Sequence, residues 1–301
     1  MRTKRKAEYL WFIAGPLFAA LWASASTATK IGLSFSQPLV IAEFRFSIAA
    51  AIMLCFAHIV QAQRLPSGKQ WKQLAIYGFL NITVYLGCYV VAMQTVTAGI
   101  GALAIASNPV FIGFLSAFFL KQKLTAATLF SIIICTAGVL CAAWPLFENA
   151  SVSGNGLLLL LGSMLSYSIG AIYFSSQEWN DLSLITINGW QTLLGGLFLL
   201  PFAVFFYKSS ANQFTQTFWS AVVWLAIPVS IFAVQLWLWL LQGNAVKAGL
   251  WLFLCPLFGY LFAAWLMKDA ISIYTVAGVL LVIGGLLLSK VNAKRNEVVF
   301  D

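Results

Sequence analysis

Polar and aromatic side chains recur at helical spacing inside long apolar stretches of this sequence. Asn81, Tyr85 and Tyr89 lie four residues apart, and Gln235 and Trp239 repeat this spacing later in the chain. Residues four apart share one face of an α-helix, and a buried amide without a partner is costly, so these groups should face each other, water or a ligand. The other polar or aromatic candidates are Trp22, Asn108, Tyr167, Trp190, Gln191 and Tyr260.

Together these side chains favour binding of a solute over bond-making chemistry. Amides and aromatic hydroxyls combine hydrogen bonds with flat apolar surfaces, which suits a small amphipathic solute such as an amino acid. Their distribution predicts a polar–aromatic cavity between the third, fourth, eighth and ninth apolar stretches. Each residue taken singly is better explained by a hydrogen bond between packed helices.

Two charged residues, Glu43 and Arg45, also lie inside an apolar stretch. Charge within a membrane is costly and is usually functional or paired. Two positions apart on a helix, these side chains point to different faces and do not form a simple local pair. Glu43 is the candidate proton carrier, with Arg45 beside it in a possible coupling role. A solvated, inert carboxylate near the interface is the alternative for Glu43.

Residues suited to covalent or metal chemistry are scarce. His58 is the only histidine, which excludes a histidine-based triad or a multi-histidine metal site. The five cysteines lie inside apolar runs without a C-x-x-C pair, so we interpret them as packing residues. The sequence has no phosphate-cradling glycine loop of the Walker type. We therefore expect no cofactor and no metal, and neither an enzyme nor an ATP-driven pump.

The composition indicates which solvent surrounds the chain. Of 301 residues, 61% are hydrophobic and 8% are charged, and the mean hydropathy is +0.91. Soluble chains carry about 25% charged residues, so lipid must be the solvent here. The net charge is +9. In a soluble protein this could indicate nucleic acid, but here the charge lies in short loops and tails, where it favours topology and anionic headgroups.

The apolar stretches have the length of membrane-spanning helices. A bilayer core needs about 20 mostly apolar residues per helix, and backbone groups in lipid must pair within the segment. The sequence predicts an all-α integral membrane protein with ten transmembrane helices. The predicted spans are 9–29, 38–60, 72–94, 97–120, 125–144, 155–175, 183–207, 218–241, 246–267 and 271–290.

The basic residues predict the orientation of these helices. An N-terminus on the inner side places most of the 17 lysines and arginines in inner connections and tails. This matches the known excess of positive charge in cytoplasmic loops. We expect a multi-pass protein of the cell (inner) membrane with both termini in the cytoplasm.

An internal repeat organises the chain. Thr97–Thr125 matches Asn244–Ser272 after a shift of 147 positions, which places Pro109 on Pro256. We predict two five-helix halves, 1–150 and 151–301. Since five is odd, the second half enters the membrane in the opposite orientation. The two prolines would then kink helices that line the cavity and act as gates, with ordinary kinks absorbed in packing as the alternative.

Several short motifs resemble a known family. They are Leu21-Trp22-Ala23-Ser24, Arg45-Phe46, Asn108-Pro109 and the repeated Pro256. The chain resembles the drug/metabolite transporter superfamily, specifically its EamA-type permeases. Where that family closes a helix with a glycine–glutamate–arginine-like turn, this chain has Lys121-Gln122-Lys123 and Lys268-Asp269-Ala270, so the role of that acid does not carry over.

The resemblance implies two inverted five-helix repeats, alternating access, and export of amino acids or other metabolites from a bacterial cell. The expected partners are a small-molecule substrate and the lipid bilayer, without nucleic acid, in a monomer or homodimer. One alternative is an organophosphate or nucleotide-sugar carrier of the same superfamily, but only Arg45 is available within a span to bind phosphate. Another is a membrane-embedded enzyme, which would need a nucleophile with a base or paired acids in reach.

Overall fold

The chain folds into membrane-spanning helices, as seen in a computed structural model that describes residues 2–122, 124–149, 153–267 and 273–297. No β-strand occurs within these residues. We number the ten helical segments α1 to α10 and include their internal irregularities. They are α1 Arg2–Leu33, α2 Pro38–Val60, α3 Lys69–Ala92, α4 98–119, α5 Ala126–Asn149, α6 Gly154–Ser176, α7 Leu184–Phe205, α8 Gln216–Gly243, α9 245–267 and α10 Ile273–Glu297.

Length and apolar composition identify the membrane spans. Within the described residues, eight helices are long and apolar enough to cross a bilayer. The helices α5 and α10 contain the shorter apolar stretches Ala126–Ala142 and Val276–Leu288. The fold is thus an all-α membrane protein with ten transmembrane helices, as predicted. The turn at 268–272, Lys123 and the predicted boundary at 150/151 lie outside the described residues.

Four helices are interrupted, in pairs that the repeat relates. The helix α3 contains a π-helical segment at Phe79–Val84, and α8 contains one at Leu225–Ala233. The helix α4 is broken at 106–107, and α9 contains a 3₁₀ turn at Trp251–Phe253. The shift of 147 positions places each of these two irregularities of the first half on its counterpart in the second, whereas the π-helical segment Phe56–Val60 that ends α2 has none. Broken backbone at membrane depth requires partners in protein or a water-lined space.

The helices pack in a reciprocal pattern. The helix α3 packs against α6, and its counterpart α8 packs against α1. Likewise α4 contacts α6, and α9 contacts α1. Three helices also pack against their own counterparts: α2 on α7, α4 on α9 and α5 on α10. This pattern is that of two similar halves related by a two-fold axis.

The connections on one side of the bundle establish that the repeat is inverted. The connection α1–α2 binds the connection α7–α8: Asn212 Oδ1 accepts from Gln37 N at 2.9 Å and from Ser36 Oγ at 2.5 Å. Gln213 N also donates to Phe35 O at 2.7 Å. We call this side the first face. It carries the first connection of one half and the second connection of the other.

The opposite side, the second face, carries the complementary pair of connections. Arg64, between α2 and α3, donates from Nη2 to Asn180 O at 2.9 Å, between α6 and α7. Gln73 Nε2 donates to Gln177 Oε1 at 3.1 Å. Equivalent connections of the two halves therefore lie on opposite faces, which is the arrangement of two inverted five-helix repeats.

Candidate functional site

Aromatic rings fill the centre of the bundle. Tyr85 and Tyr89 come from α3, and they meet rings from α1, α6 and α8. We call the set the aromatic cluster, and each member has at most 3% of its surface exposed. Its members are Phe18, Trp22, Tyr85, Tyr89, Tyr167 and Trp237.

The rings of the cluster stack in series. Tyr167 lies 5.6 Å from Trp237 between centroids, with 21° between the planes, and Phe18 lies 5.0 Å from Trp237 with 20° between the planes. Tyr85 is 4.7 Å from Tyr167 and 6.4 Å from Trp22. These separations are in the favourable range for aromatic pairs. The cluster closes the centre in this conformation, so access for a solute requires the helices or rings to move.

Some polar atoms of the cluster have no protein partner. Tyr89 Oη lies 2.8 Å from Ser26 Oγ, which satisfies that hydroxyl. Tyr167 Oη and Trp237 Nε1 are buried without a hydrogen bond within the described part of the chain. An unmade buried hydrogen bond is unfavourable. These two donors are available to an acceptor on a bound solute.

Sequence reasoning missed Phe18 and Trp237. It selected Gln235 and Trp239, which flank Trp237 on α8. The π-helical segment Leu225–Ala233 precedes them and holds more residues per turn than an α-helix, so it rotates the face that points inward. For Trp237, the available signal was Pro228 in the middle of an apolar run, which indicates an irregular helix. For Phe18, the signal was its four-residue spacing from Trp22.

A chain of amide hydrogen bonds lies next to the cluster. Asn81 Nδ2 donates to Gln191 Oε1 at 3.1 Å, and Gln191 Nε2 donates to Asn188 Oδ1 at 3.1 Å. Asn188 Nδ2 then donates to Ser230 O at 2.9 Å. Ser230 lies in the π-helical segment of α8, and it also accepts from Arg45 Nε through its Oγ at 2.7 Å. This amide chain connects α3, α7, α8 and α2, and it fixes the position of Arg45.

Arg45 and Glu43 face different neighbours, as their spacing predicts. Arg45 is 2% exposed and lies with its guanidinium 5.6 Å from the centre of the Phe46 ring. The half-buried Glu43 faces α7, where a Cβ built on Gly196 would lie 3.8 Å from Glu43 Oε2. Glu43 Oε1 is buried and has no partner among the described residues. The proposed coupling role of both residues stays a prediction.

The helix break places Asn108 and Pro109 against α6. Asn108 Oδ1 accepts from Ser168 Oγ at 3.1 Å, and its Nδ2 lies 3.3 Å from Met164 Sδ. Instead of the predicted kink within a continuous helix, α4 ends at Ile105 and restarts at Asn108.

Both prolines lie in the first turn of a new α-helical segment, Pro109 in α4 and Pro256 in α9 after its 3₁₀ turn. A missing N–H breaks no helical bond there, which is why a break replaces the kink. Both prolines are buried, away from the bundle perimeter.

A lateral groove lies beside the cluster. It has a volume of about 560 Å³ and runs between α1, α7 and α8. Gln235 Oε1 is buried there and has no partner in the described part of the chain, and the half-exposed Leu17 and Phe232 open the groove to the bundle surface. The sequence predicted a cavity between the third, fourth, eighth and ninth spans; the groove shares the eighth span and two of the predicted residues, Gln235 and Trp239. The groove is lined by Leu17, Leu21, Leu184, Pro228, Phe232, Gln235, Leu236 and Trp239.

Two predicted residues lie apart from the cluster. Trp190 Nε1 donates to His58 Nε2 at 2.9 Å, and its ring lies 4.7 Å from that of Trp71, near the second face. Tyr260 is half-buried on α9, and its hydroxyl has no partner among the described residues. The structure therefore brings Trp22, the two tyrosines of α3 and Tyr167 into one cluster, but not these two.

The architecture indicates the class of protein. Two inverted repeats with interrupted helices at membrane depth, meeting around polar and aromatic side chains, are characteristic of membrane transporters. A model of the EamA-like transporter family matches residues 9–144 and 154–291. The chain belongs to the EamA-like transporter family, which confirms the resemblance seen in the sequence.

Relatives across bacteria and plants support a transporter role. The chain is 24% identical over 283 residues to the uncharacterized transporter YvbV of Bacillus subtilis, covering 92% of this chain and 90% of the relative. It is 26% identical to the uncharacterized transporter YoaV of the same species, covering 92% and 96%. It is also 25% identical to a WAT1-related chloroplastic protein of Arabidopsis thaliana, covering 85% and 64%.

A solved structure shares the fold. One crystal structure superposes with a TM-score of 0.78 at 19% identity and covers 96% of this chain and 99% of that one. At this identity the likeness shows the fold alone. The arrangement of ten helices is thus common to a protein whose sequence has largely diverged from this one.

Proposed function

We propose that this protein exports a small organic metabolite, with an amino acid or another amphipathic compound favoured, by alternating access. The observation that carries the proposal is the placement of four interrupted helices at repeat-related positions around the aromatic cluster. Irregular backbone at membrane depth is tolerated where it lines protein or a wet cavity. We take 1–150 and 151–301 as the two halves that rock against each other.

The chemistry of the centre supports an amphipathic solute. Trp22, Tyr85 and Tyr167 offer flat apolar surfaces, and Tyr167 Oη and Trp237 Nε1 offer unpaired donors. Asn108 presents an amide at the break of α4. An organophosphate would require several buried cations, whereas the spans supply Arg45 alone, so the phosphate alternative is disfavoured.

Charge distribution supports a cytoplasmic second face. Arg64, Lys69 and Lys72 belong to the connection and helix start on that face, whereas the first face has Lys30 and Lys208 at its helix ends. Because cytoplasmic loops carry excess positive charge, we place both termini in the cytoplasm and the protein in the inner membrane of a bacterial cell. Export then proceeds from the second face to the first.

Overproduction of the protein should protect cells from at least one toxic amino-acid analogue or related amphipathic compound. Active efflux lowers the internal concentration, so the growth-inhibiting dose should rise several-fold. A metabolite panel scored by growth identifies the compound, and counterflow of its labelled form in proteoliposomes measures transport directly. Tyr85→Ala should abolish both effects, and Trp265→Ala, at a site 78% exposed, should retain them. A panel without protection or counterflow would reject the proposal.

A substitution at Glu43 distinguishes proton-coupled export from facilitated diffusion. If this carboxylate carries the coupling proton, Glu43→Gln should remove the response of transport to an imposed pH gradient while leaving counterflow intact. Counterflow needs no net proton movement, so it serves as the internal control for folding. Wild-type flux that ignores the pH gradient would instead establish facilitated diffusion and leave Glu43 without a coupling role.

A further inference from the structure

Arg45 is a buried charge without a counter-ion. Its Nε donates to Ser230 Oγ at 2.7 Å, while Nη2 is buried and has no partner among the described residues. No carboxylate lies within ion-pair distance of it among the residues that the structure describes. An unpaired charge inside a membrane protein is unfavourable and rarely retained without a function.

Among the acidic side chains that the structure describes, none is placed to pair with this arginine. Glu43 is on the same helix but faces α7, and two residues of separation prevent a pair within one helix. Glu178 and Asp181 lie in the connection α6–α7 on the second face, whereas Arg45 is two turns from the first-face end of α2. An anion for Arg45 is therefore expected from a ligand and not from these described side chains.

The residues around Arg45 indicate what kind of molecule would carry this anion. The helix α2, which carries Arg45, packs against the Tyr85–Ala92 part of α3, which carries Tyr85 and Tyr89 of the aromatic cluster. Ser230 holds the Nε edge, and the amide chain from Asn81 through Asn188 holds Ser230. The terminal guanidinium nitrogens of Arg45 therefore remain available to a ligand that packs against the aromatic cluster.

We propose that Arg45 anchors the carboxylate of the transported solute, whose apolar body lies against the aromatic cluster. This inference rests on the proposed transport function and narrows its cargo to small organic carboxylates. A planar guanidinium matches the two oxygens of a carboxylate with parallel hydrogen bonds. A phosphate monoester carries more charge than this single cation offsets. The bound anion also supplies the counter-ion that the free protein lacks.

Thermal unfolding of the purified protein with matched probes tests the inference. Phenylacetate should raise the midpoint, whereas phenylacetamide, its neutral analogue of nearly equal shape, and phenethylamine should not. In Arg45→Met the apparent Kd for phenylacetate should weaken about 10- to 100-fold, because a charged hydrogen-bonded pair is lost. The unliganded variant should unfold at or above the wild-type temperature, because an unpaired buried charge is removed.

Two further variants control for structural effects. Arg45→Lys keeps the charge without the planar fork and should retain a weaker phenylacetate response. Arg64→Met removes an exposed arginine of the second face and should respond like the wild type. If Arg45→Met fails to fold, the Arg45→Lys titration decides: an affinity equal to that of the wild type overturns the proposal.

Other outcomes also overturn it. These are a wild type that ignores phenylacetate, equal responses to phenylacetate and phenylacetamide, an unchanged phenylacetate affinity in Arg45→Met, or a larger response to phenyl phosphate. None of them affects the export proposal, which the growth panel and counterflow test separately. Overproduction could protect cells in the growth panel while phenylacetate and phenylacetamide shift the unfolding midpoint equally. The protein would then be a transporter that recognises its cargo without Arg45.

Discussion

A reversible cross-link across either face of the bundle should stop transport completely. In a background with all five cysteines replaced by alanine, one variant carries Gln37→Cys with Asn212→Cys and a second carries Gln73→Cys with Gln177→Cys. The first pair is hydrogen-bonded on the first face at 3.0 Å, and the second pair on the second face at 3.1 Å. A flexible bis-thiosulfonate reagent therefore links each pair without distorting the fold.

The alternating access that we propose predicts that both links abolish transport. Each face must open in turn to admit or release the solute, and a link at either one traps the protein with that face closed. Counterflow in proteoliposomes measured before the reagent, after it, and after dithiothreitol should show activity, no activity and recovery. The four single-cysteine variants, treated in parallel, should keep their activity throughout.

Unequal results would contradict the mechanism. If one linked face still supports full counterflow, that face does not open during transport. If both do, the solute follows a fixed path such as the lateral groove. Persistence of activity with proven cross-linking, shown by a mobility shift on a gel, is therefore the decisive observation against rocking halves.

The second large effect concerns folding. Gly278→Leu in α10 should prevent α5 and α10 from packing together. A Cβ on Gly278 would overlap Gly138 O, and a Cβ on Gly138 would lie 2.8 Å from Gly278 O. Because these neighbours are backbone atoms that cannot rotate away, the cost should reach or exceed about 3 kcal/mol, the upper part of the range for overpacking.

A matched glycine on the same helix provides the control. Gly284 has no atom within 4 Å of a Cβ built on it, so Gly284→Leu adds a side chain that faces open space. Detergent-solubilised Gly278→Leu should give little monodisperse protein and a lowered thermal midpoint, whereas Gly284→Leu should match the wild type. Equal behaviour of the two variants would show that the close approach of α5 and α10 does not stabilise the fold.

Local sequence rules were sufficient for the architecture. Lipid forces each backbone group to pair within its own helix, so apolar length alone predicted ten spans. The register of Pro109 with Pro256 predicted the repeat, and the structure adds that Thr97 and Asn244, also 147 apart, cap equivalent helix starts. An odd number of helices per half then required the inverted arrangement.

Local rules also identified part of the cluster. The four-residue spacing of Tyr85 and Tyr89 places both on one face, and they do meet Trp22 and Tyr167. Local periodicity did not select Trp237, which joins the cluster after a π-helical segment; Gln235 and Trp239 line the lateral groove, and their role in binding stays a prediction. A helix period counted along the sequence is valid only while the helix keeps the same number of residues per turn.

The sequence by itself determined that this is a ten-helix membrane protein with two inverted halves, because hydrophobic length, charge placement and repetition are written in consecutive residues. Only the tertiary structure decided which side chains meet. The hydrogen bonds from Asn81 to Gln191 and from Arg45 to Ser230 join residues 110 and 185 positions apart. Such pairs depend on how the helices rotate and cross, which is decided when the formed spans pack together. Local periodicity of the sequence does not determine these angles.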